Sequence, residues 1–409
     1  MKIKLNVNFY LVFFSFIIAW AMWLCYLVPL PINEQDITNV LVIMFFGIVI
    51  VRENMLKKIH LNKPFVYFLF ILLTSATSAY LRFGQSFIDS FAVCRHMYIQ
   101  YSIALPLYYL IKHGKVKRDR LYDALIMSIR IACTIYVLHF FLHTYVGIDI
   151  LALRTGGQRY GSDRFYLNLV MPMFLICNAF SNIYADRFKL IDCYDALVVL
   201  TVIMLVTKMR FAAFSCVCAI LIGLIIAKKL DLKKVLLLTG AVAAGTVVLF
   251  CTEMGSDFLD IIFGGNYAAA GTGAIREVGR TQHLLSFLKA PIFGMGYPHE
   301  NCYASLYEFG TLNSYMIDGT EQRIYLTDNG IFDVLYIFGL SGIVWIISYF
   351  GHWLKKSVRL FKKRQLSVYF MFIIATIIDM YTECNWMFFG MLFIGVFDAI
   401  IRTEPEKQI

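Results

Sequence analysis

Arg276, Arg280 and His283 fall at i, i+4 and i+7 within AIREVGRTQHLLSFLKAPIFGMG, residues 274–296. That spacing puts all three on one side of a helix. Two guanidinium groups held side by side present forked donors that match phosphate or carboxylate, and an imidazole can take up a proton. The plainer alternative is a pair of solvated surface charges. Ile275, Val278, Leu285 and Leu288 recur at three- to four-residue spacing and give the segment a separate apolar face. Pro291 stops the helix, and Gly294 and Gly296 let the chain turn tightly behind it. The segment lies within 253–327, the one long polar interval of the chain.

What positions this interval follows from composition. The 409 residues are 60% hydrophobic and 16% charged, with mean hydropathy +0.69. No soluble domain of that length buries so much apolar surface, so the chain reads as one polytopic, all-α integral membrane domain covering 1–409. Apolar runs of bilayer-crossing length predict about twelve transmembrane helices. They cover 9–30, 37–51, 64–81, 96–112, 121–146, 164–184, 190–207, 211–228, 233–252, 330–350, 366–382 and 385–401. The first exceeds a signal-peptide core and lacks a small-residue cleavage site, so it counts as a helix.

Basic residues set the orientation. With the N-terminus cytoplasmic and the spans alternating, the inner segments hold 25 of the 37 Lys and Arg, as the positive-inside rule requires. Both termini are then cytoplasmic, and 253–327 is a large outer loop with short helices. The net charge of +10 follows from this asymmetry and calls for no nucleic-acid partner. Twelve basic residues remain: Arg82, Arg95, Arg130, Arg154, Arg159, Arg164, Lys208, Arg210, Arg276, Arg280, Lys289 and Arg323. Ten of them are arginine, whereas the inner set is mostly lysine. Topology alone has no use for a guanidinium; gripping an oxyanion does. Arg95, Arg164 and Arg210 border the outer membrane mouth, and a cation at Arg210 opposes the helix dipole there. Arg130 lies inside a span, where it needs an aqueous cavity or an acidic partner, either Asp123 or an acidic residue of another span. A cationic, outward-facing cavity flush with the bilayer suits an anionic, lipid-anchored substrate.

Three stretches carry a family likeness. TKMRFAAF, 207–214, GRTQHLLSFLKAPIFGMG, 279–296, and DNGIFDVLYIFGLSGI, 328–343, together with the span layout, resemble the O-antigen polymerase and O-antigen ligase superfamily (Wzy and WaaL). The likeness is best over roughly 200–350. Asn329 and the Gly339/Gly342 pair match the ligase signature in register, but Asp328 stands where ligases carry histidine, which points to the polymerase branch. From the residues alone, Gly339 and Gly342 read as small residues for close helix packing, and Asp328 as a helix N-cap.

The resemblance implies a glycosyltransferase of the bacterial inner membrane, its site facing the periplasm. It implies an undecaprenyl-pyrophosphate-linked oligosaccharide as substrate, membrane lipids as surroundings, and a chain-length regulator protein as a further partner. In that reading Arg210, Arg276 and Arg280, with Arg95 and Arg164, hold the pyrophosphate and stabilise charge on the leaving group. Arg154 and Arg159, in the glycine-rich segment 153–164, clamp glycan or phosphate or belong to a simple connector. The proton acceptor is Asp328, Glu300 or His299, with His283 a further candidate. No cofactor or metal is called for. Glu253, Asp257 and Asp260 read as a cation site or, more simply, as a solvated face. His139 and His143 read as a metal pair lacking a third ligand or as interfacial packing. A ligase acting on a lipid A core, and a flippase for lipid-linked glycans, are the alternative functions. Cysteines sit mostly in apolar runs as small hydrophobes, with Cys302 and Cys384 a conceivable outer pair.

Overall fold

The computed structural model describes residues 8–27, 34–55, 63–153, 155–159, 162–184, 187, 189–226, 271–299, 314–317, 320–323, 329–362, 368–388 and 390–404. The calls at Arg154, Glu300, Asp328, the carboxylates 253–260, Cys302 and the run 233–252 lie outside the described residues. For Arg159 and Arg210 the backbone alone is described.

The chain is nearly all helical. Its helices are α1 (Phe9–Met22), α2 (Glu34–Glu53), α3 (Lys63–Phe83), α4 (Phe87–Tyr101), α5 (Ala104–Lys112), α6 (Arg118–Phe141) and α7 (Val170–Tyr184). They continue with α8 (Leu190–Thr201), α9 (Arg210–Ile226), α10 (Gly271–Lys289), α11 (Ile331–Lys362), α12 (Val368–Asp379), α13 (Asn385–Phe388) and α14 (Met391–Thr403). Four helical stretches are long and apolar enough to cross a membrane: Gln35–Glu53, Lys63–Phe83, Arg118–Val146 and Ile331–Arg359. Shorter apolar helices, among them Phe9–Met22, Phe211–Ile226 and Val368–Asp379, pack with them.

Several elements depart from the expected spans. The run 96–112 is not one helix but the end of α4 and the whole of α5, broken at Ser102–Ile103. Pro106 cannot continue the hydrogen-bond ladder of α4, and it is accommodated in the first turn of α5, where its missing N–H costs nothing. The all-α expectation needs two additions. Thr155–Arg159 (β1) and Ser162–Phe165 (β2) form one antiparallel hairpin, and Ser314–Ile317 (β3) and Thr320–Arg323 (β4) form another.

Two ends of the bundle can be told apart by their contacts. At one, the Asn8 amide donates to the Lys115 carbonyl at 2.6 Å, Lys115 pairs with Glu53 at 2.7 Å, and Arg118 pairs with Glu404. The carboxylate of Glu53 raises the Lys115 pKa above the usual lysine range. Lys356 donates to the Arg402 carbonyl at 2.9 Å here as well. The starts of α1 and α6 and the ends of α2, α11 and α14 therefore meet. The opposite end gathers the start of α9, the end of α12, the start of α11 and α10.

Aromatic packing fills the middle. Trp345 stacks on Phe68 at 4.8 Å and on Trp386 at 5.8 Å, and Trp353 meets Tyr349 at 4.2 Å and Phe397 at 4.6 Å. Such rings supply large contact areas with directional edge-to-face geometry. Most of their polar edges are satisfied: Trp353 Nε1 donates to Asp398 at 3.0 Å, and the Tyr101 and Tyr349 hydroxyls bond to each other, whereas Trp386 Nε1 has no partner among the described residues. Arg130 grips Asp195 of α8 through two hydrogen bonds of 2.6 and 2.8 Å. Its partner is therefore an acidic residue of another helix, and not Asp123.

The outer loop does not simply cover the bundle. Gly339 breaks α11 with φ +61° and ψ −153°, and the segment 291–296 plugs into the break. Met295 and Gly296 donate to the Tyr336 and Ile337 carbonyls at 2.6 and 3.0 Å. Leu340 and Ser341 donate to the Pro291 and Ile292 carbonyls at 2.8 and 3.0 Å. These groups have lost their intrahelical partners, and irregular backbone in a membrane bundle persists only where such groups are paired inside protein. Gly294, at φ +70°, lies so close that a Cβ would sit 2.5 Å from the Ile337 backbone. Gly339 thus serves a helix break and a backbone-to-backbone contact, correcting the expectation of helix-face packing. Gly342 does lie in the helix, against Phe338 and Val334.

Candidate anion site at the α10–α11 end

Helix α10 runs from Gly271 to Lys289 and stops two residues before Pro291. Its amphipathic pattern is turned inside out. Gly279, His283, Ser286 and Ala290 are buried, whereas Leu285 and Leu288 are 55% and 64% exposed. The polar side is the one that faces the bundle. Gly279 permits this approach: a Cβ there would stand 2.7 Å from the Asn329 amide oxygen.

Three consecutive turns of that inward side meet the neighbouring elements. Arg276 pairs with Glu383 at 3.0 Å. Arg280 donates to the Tyr381 carbonyl at 3.1 Å, and its guanidinium carbon lies 4.7 Å from the centre of the Tyr381 ring and 6.0 Å from that of Phe332. His283 and Asp333 are both fully buried, with Nδ1 3.1 Å from Oδ1. That contact has the distance of an ion pair without the alignment of a hydrogen bond. Asp333 also accepts from the Asn329 backbone N–H at 2.8 Å and from its side-chain amide at 3.2 Å. The carboxylate therefore ties the turn before α11 to the middle of α10. The ring of His283 packs on Tyr336 at 4.8 Å, and its Nε2 has no hydrogen-bond partner among the described residues.

Arg280 differs from Arg95, Arg130 and Arg276. Among the described residues, Arg95 is held by Asp36 through bonds of 2.7 and 3.0 Å, Arg130 by Asp195 and Arg276 by Glu383. Arg280 has no carboxylate partner among them, and its buried Nε has no acceptor. Removing a guanidinium donor from water without replacing its hydrogen bond is unfavourable. Aromatic faces offset part of that cost through the cation–π interaction.

The start of α9 reaches the same place. Tyr381, which lies against Arg280, also packs its ring 6.0 Å from that of Phe211, the second residue of α9. Arg210 opens α9, so its backbone borders the same aromatic group. A constrained turn delivers it there. A π-turn at Val202–Val206 ends α8, the Thr207 N–H donates back to Val202 at 2.9 Å, and Lys208 adopts a left-handed φ of +54°. That conformation is costly for a residue with a side chain. Arg164, buried at the end of β2, donates from Nε to the Thr207 carbonyl at 3.0 Å and lies 4.9 Å from the Tyr166 ring. Arg164 braces the turn before Arg210.

The remaining calls fall elsewhere. Arg95 is engaged with Asp36 between α4 and α2, so its forked face is already filled by a carboxylate and is not turned toward a ligand. His299 sits on the limb returning from the 291–296 turn, where its N–H donates to Gln85 at 2.8 Å beside α3. His139 and His143 are joined by two carboxylates the spacing did not reveal. His143 lies 2.6 Å from Asp149 and 2.8 Å from Asp163, which clips the β1–β2 hairpin to the end of α6. Among the described residues no group of three or more His, Cys, Asp or Glu is placed to hold a metal ion.

Comparison with known protein families and with curated proteins finds no match to this chain. The site stands on its geometry.

Asp333, Tyr381 and Glu383 were not among the expected site residues. Asp333 and Glu383 had a readable signal, because an acidic residue inside or between apolar runs is costly and marks a partner or a pathway. Asp379 shares that signal; half-buried in the same turn, it makes no ion pair among the described residues. Tyr381 had no such signal, since nothing local distinguishes it from interfacial aromatics.

Proposed function

We propose that the chain is a polysaccharide polymerase. It transfers glycan from a polyprenyl pyrophosphate carrier to a second lipid-linked repeat unit at the outer, periplasmic face of a bacterial inner membrane. The observation that carries this reading is Arg280: a guanidinium packed on Tyr381 and Phe332, with no carboxylate among the described residues to neutralise it and a buried Nε lacking an acceptor. A diphosphate oxygen would supply the missing acceptor with charge-assisted strength. The α9 start that carries Arg210 is close by, and Arg276 is one turn away on α10.

Support also comes from where the charges lie. Lys115, Arg118, Lys356 and Arg402 gather at one end of the bundle, and the arginine-rich group lies at the other. Taking the lysine-bearing end as cytoplasmic puts the site outside, where a lipid-linked donor is available and cytosolic nucleotide sugars are not. In the reaction the acceptor hydroxyl attacks the anomeric carbon, its proton passes to a base, and the anomeric C–O bond breaks with its electron pair leaving on pyrophosphate. The guanidinium groups stabilise that developing charge.

Purified protein incubated with synthetic polyprenyl-pyrophosphate repeat units tests this. Longer lipid-linked products are expected, lost in Arg280→Ala and Arg210→Ala and retained in Lys356→Ala, which lies at the opposite end. Repeat units that stay unjoined with the wild-type chain overturn the reading; joining only when a lipid A core is supplied would indicate a ligase.

A further inference from the structure

The segment 271–299 was expected to lie in the aqueous outer loop, but its contacts follow a path into the bundle and out again. Gly279 meets Asn329, just before α11. One turn on, His283 meets Asp333 and Tyr336. Pro291 then bonds Leu340, past the break in α11. The chain next reverses: Met295 bonds Tyr336, Ser78 of α3 donates to the Gly294 carbonyl at 2.6 Å, and the Tyr297 carbonyl accepts from Gln85, beyond the end of α3, at 2.9 Å. From Asn329 to Gly339 is ten residues, or about 15 Å of helix. The hydrocarbon core of a bilayer is about 30 Å thick. The turn at Pro291 therefore lies about halfway along the first apolar stretch of α11.

From Leu284 to Phe293 the side turned away from the bundle is mostly apolar, with Lys289 as its exposed charged member, whereas Glu277 and Thr281 are exposed polar residues nearer the start of α10. Leu284, Leu285 and Leu288 of α10 and Ile292 and Phe293 of the turn are between 41% and 64% exposed. They continue the exposed apolar surfaces of the two flanking helices, Phe70 and Leu73 on α3 and Leu340 and Val344 on α11. Both flanks are long and apolar enough to cross a membrane. The backbone meets the same requirement, since the irregular turn pairs its N–H and C=O groups with those freed by the Gly339 break.

We infer that α10 and the 291–296 turn form a re-entrant element whose outer face contacts the acyl chains of the bilayer. Its inner face holds Arg276 and Arg280 at the membrane boundary. This assignment is independent of the proposed chemistry.

Photo-crosslinking in liposomes of phosphatidylethanolamine and phosphatidylglycerol tests it on the full chain. p-Benzoylphenylalanine replaces Leu285, Leu288 or Ile292 singly, with Glu277, an exposed polar position on α10, as the control. After irradiation, intact mass is expected to rise by one phospholipid at 285, 288 and 292 and to stay unchanged at 277. Absence of a lipid adduct at all three positions overturns the inference, as does a crosslink there to another segment of the chain or to a second copy. Should a photoreactive variant fail to fold, Leu285→Trp and Leu288→Trp give the same decision. Brominated acyl chains are expected to quench their added fluorescence, and unquenched fluorescence that is lost to aqueous iodide overturns the inference.

Discussion

Arg280 and His283 occupy the same side of one helix and face different demands. Arg280 has charge without a counter-charge among the described residues, and in the proposed function its contribution is to ligand binding. Arg280→Lys keeps the charge but loses the planar fork. Its initial rate of glycan elongation is expected to fall about 10- to 100-fold, against about 100- to 1000-fold for Arg280→Ala, the range seen when one preorganised donor to a leaving charge is removed. Equal rates for Arg280→Lys and wild type would mean that a point charge suffices. His283 is sealed against Asp333, so its removal acts on stability. His283→Ala strands a buried carboxylate and is expected to cost about 3–5 kcal/mol, read as a lower melting temperature in a fixed detergent. The double variant with Asp333→Asn should lose less than the sum of the single losses. The i, i+4, i+7 pattern was enough to place Arg276, Arg280 and His283 on one face. Their partners were not legible, because Glu383 and Asp333 come from distant apolar segments that only the packed bundle brings alongside.

At the scale of elements, helix α10 and its Pro291 stop were readable from spacing and composition, yet the direction of its faces was not. An amphipathic pattern says that a helix has two unlike sides; which one turns inward depends on whether the surroundings are water or hydrocarbon. The hairpins were not among the expected elements, although Asp318–Gly319 falls between Ser314–Ile317 and Thr320–Arg323 and is a strong short-range hairpin signal. Gly294 and Gly296 suggested a tight turn, and Gly339 and Gly342 close helix packing, whereas Gly294 and Gly339 bring two backbones into contact with each other. Gly294→Ala and Gly339→Ala each introduce a Cβ 2.5 Å from opposing backbone at positive φ. The left-handed backbone alone costs about 1–2 kcal/mol, and the clash adds to it. Both variants should melt lower than Gly351→Ala, a control with no atom within 4 Å of the added Cβ. Similar melting of all three would show that the interlock tolerates separation.

For the molecule as a whole, opposite ends carry opposite work. Glu277 lies near the arginines, and Lys355 lies next to Lys356 at the lysine-bearing end. Above the background from the exposed native Cys193, Glu277→Cys and Lys355→Cys in sealed vesicles should react with an impermeant thiol reagent from opposite sides. Reaction from one common side would overturn the alternating arrangement. That the chain is nearly all helical, with apolar helices of membrane-crossing length, was legible from hydropathy, since it is a property averaged over whole spans. The broken α4–α5 run was not, because a proline in a first turn and a proline in mid-helix look alike until the turn is located.

The interlock of 291–296 with 336–341 also bears on how the chain is made. The turn is synthesised some forty residues before the carbonyls and N–H groups that receive it. Until α11 has been inserted and broken at Gly339, the Met295 and Gly296 N–H groups and the Pro291 and Ile292 carbonyls of the nascent turn lack their native partners, which disfavours the turn in hydrocarbon. On the re-entrant assignment, α10 therefore enters the bilayer after α11, carrying its two arginines with it.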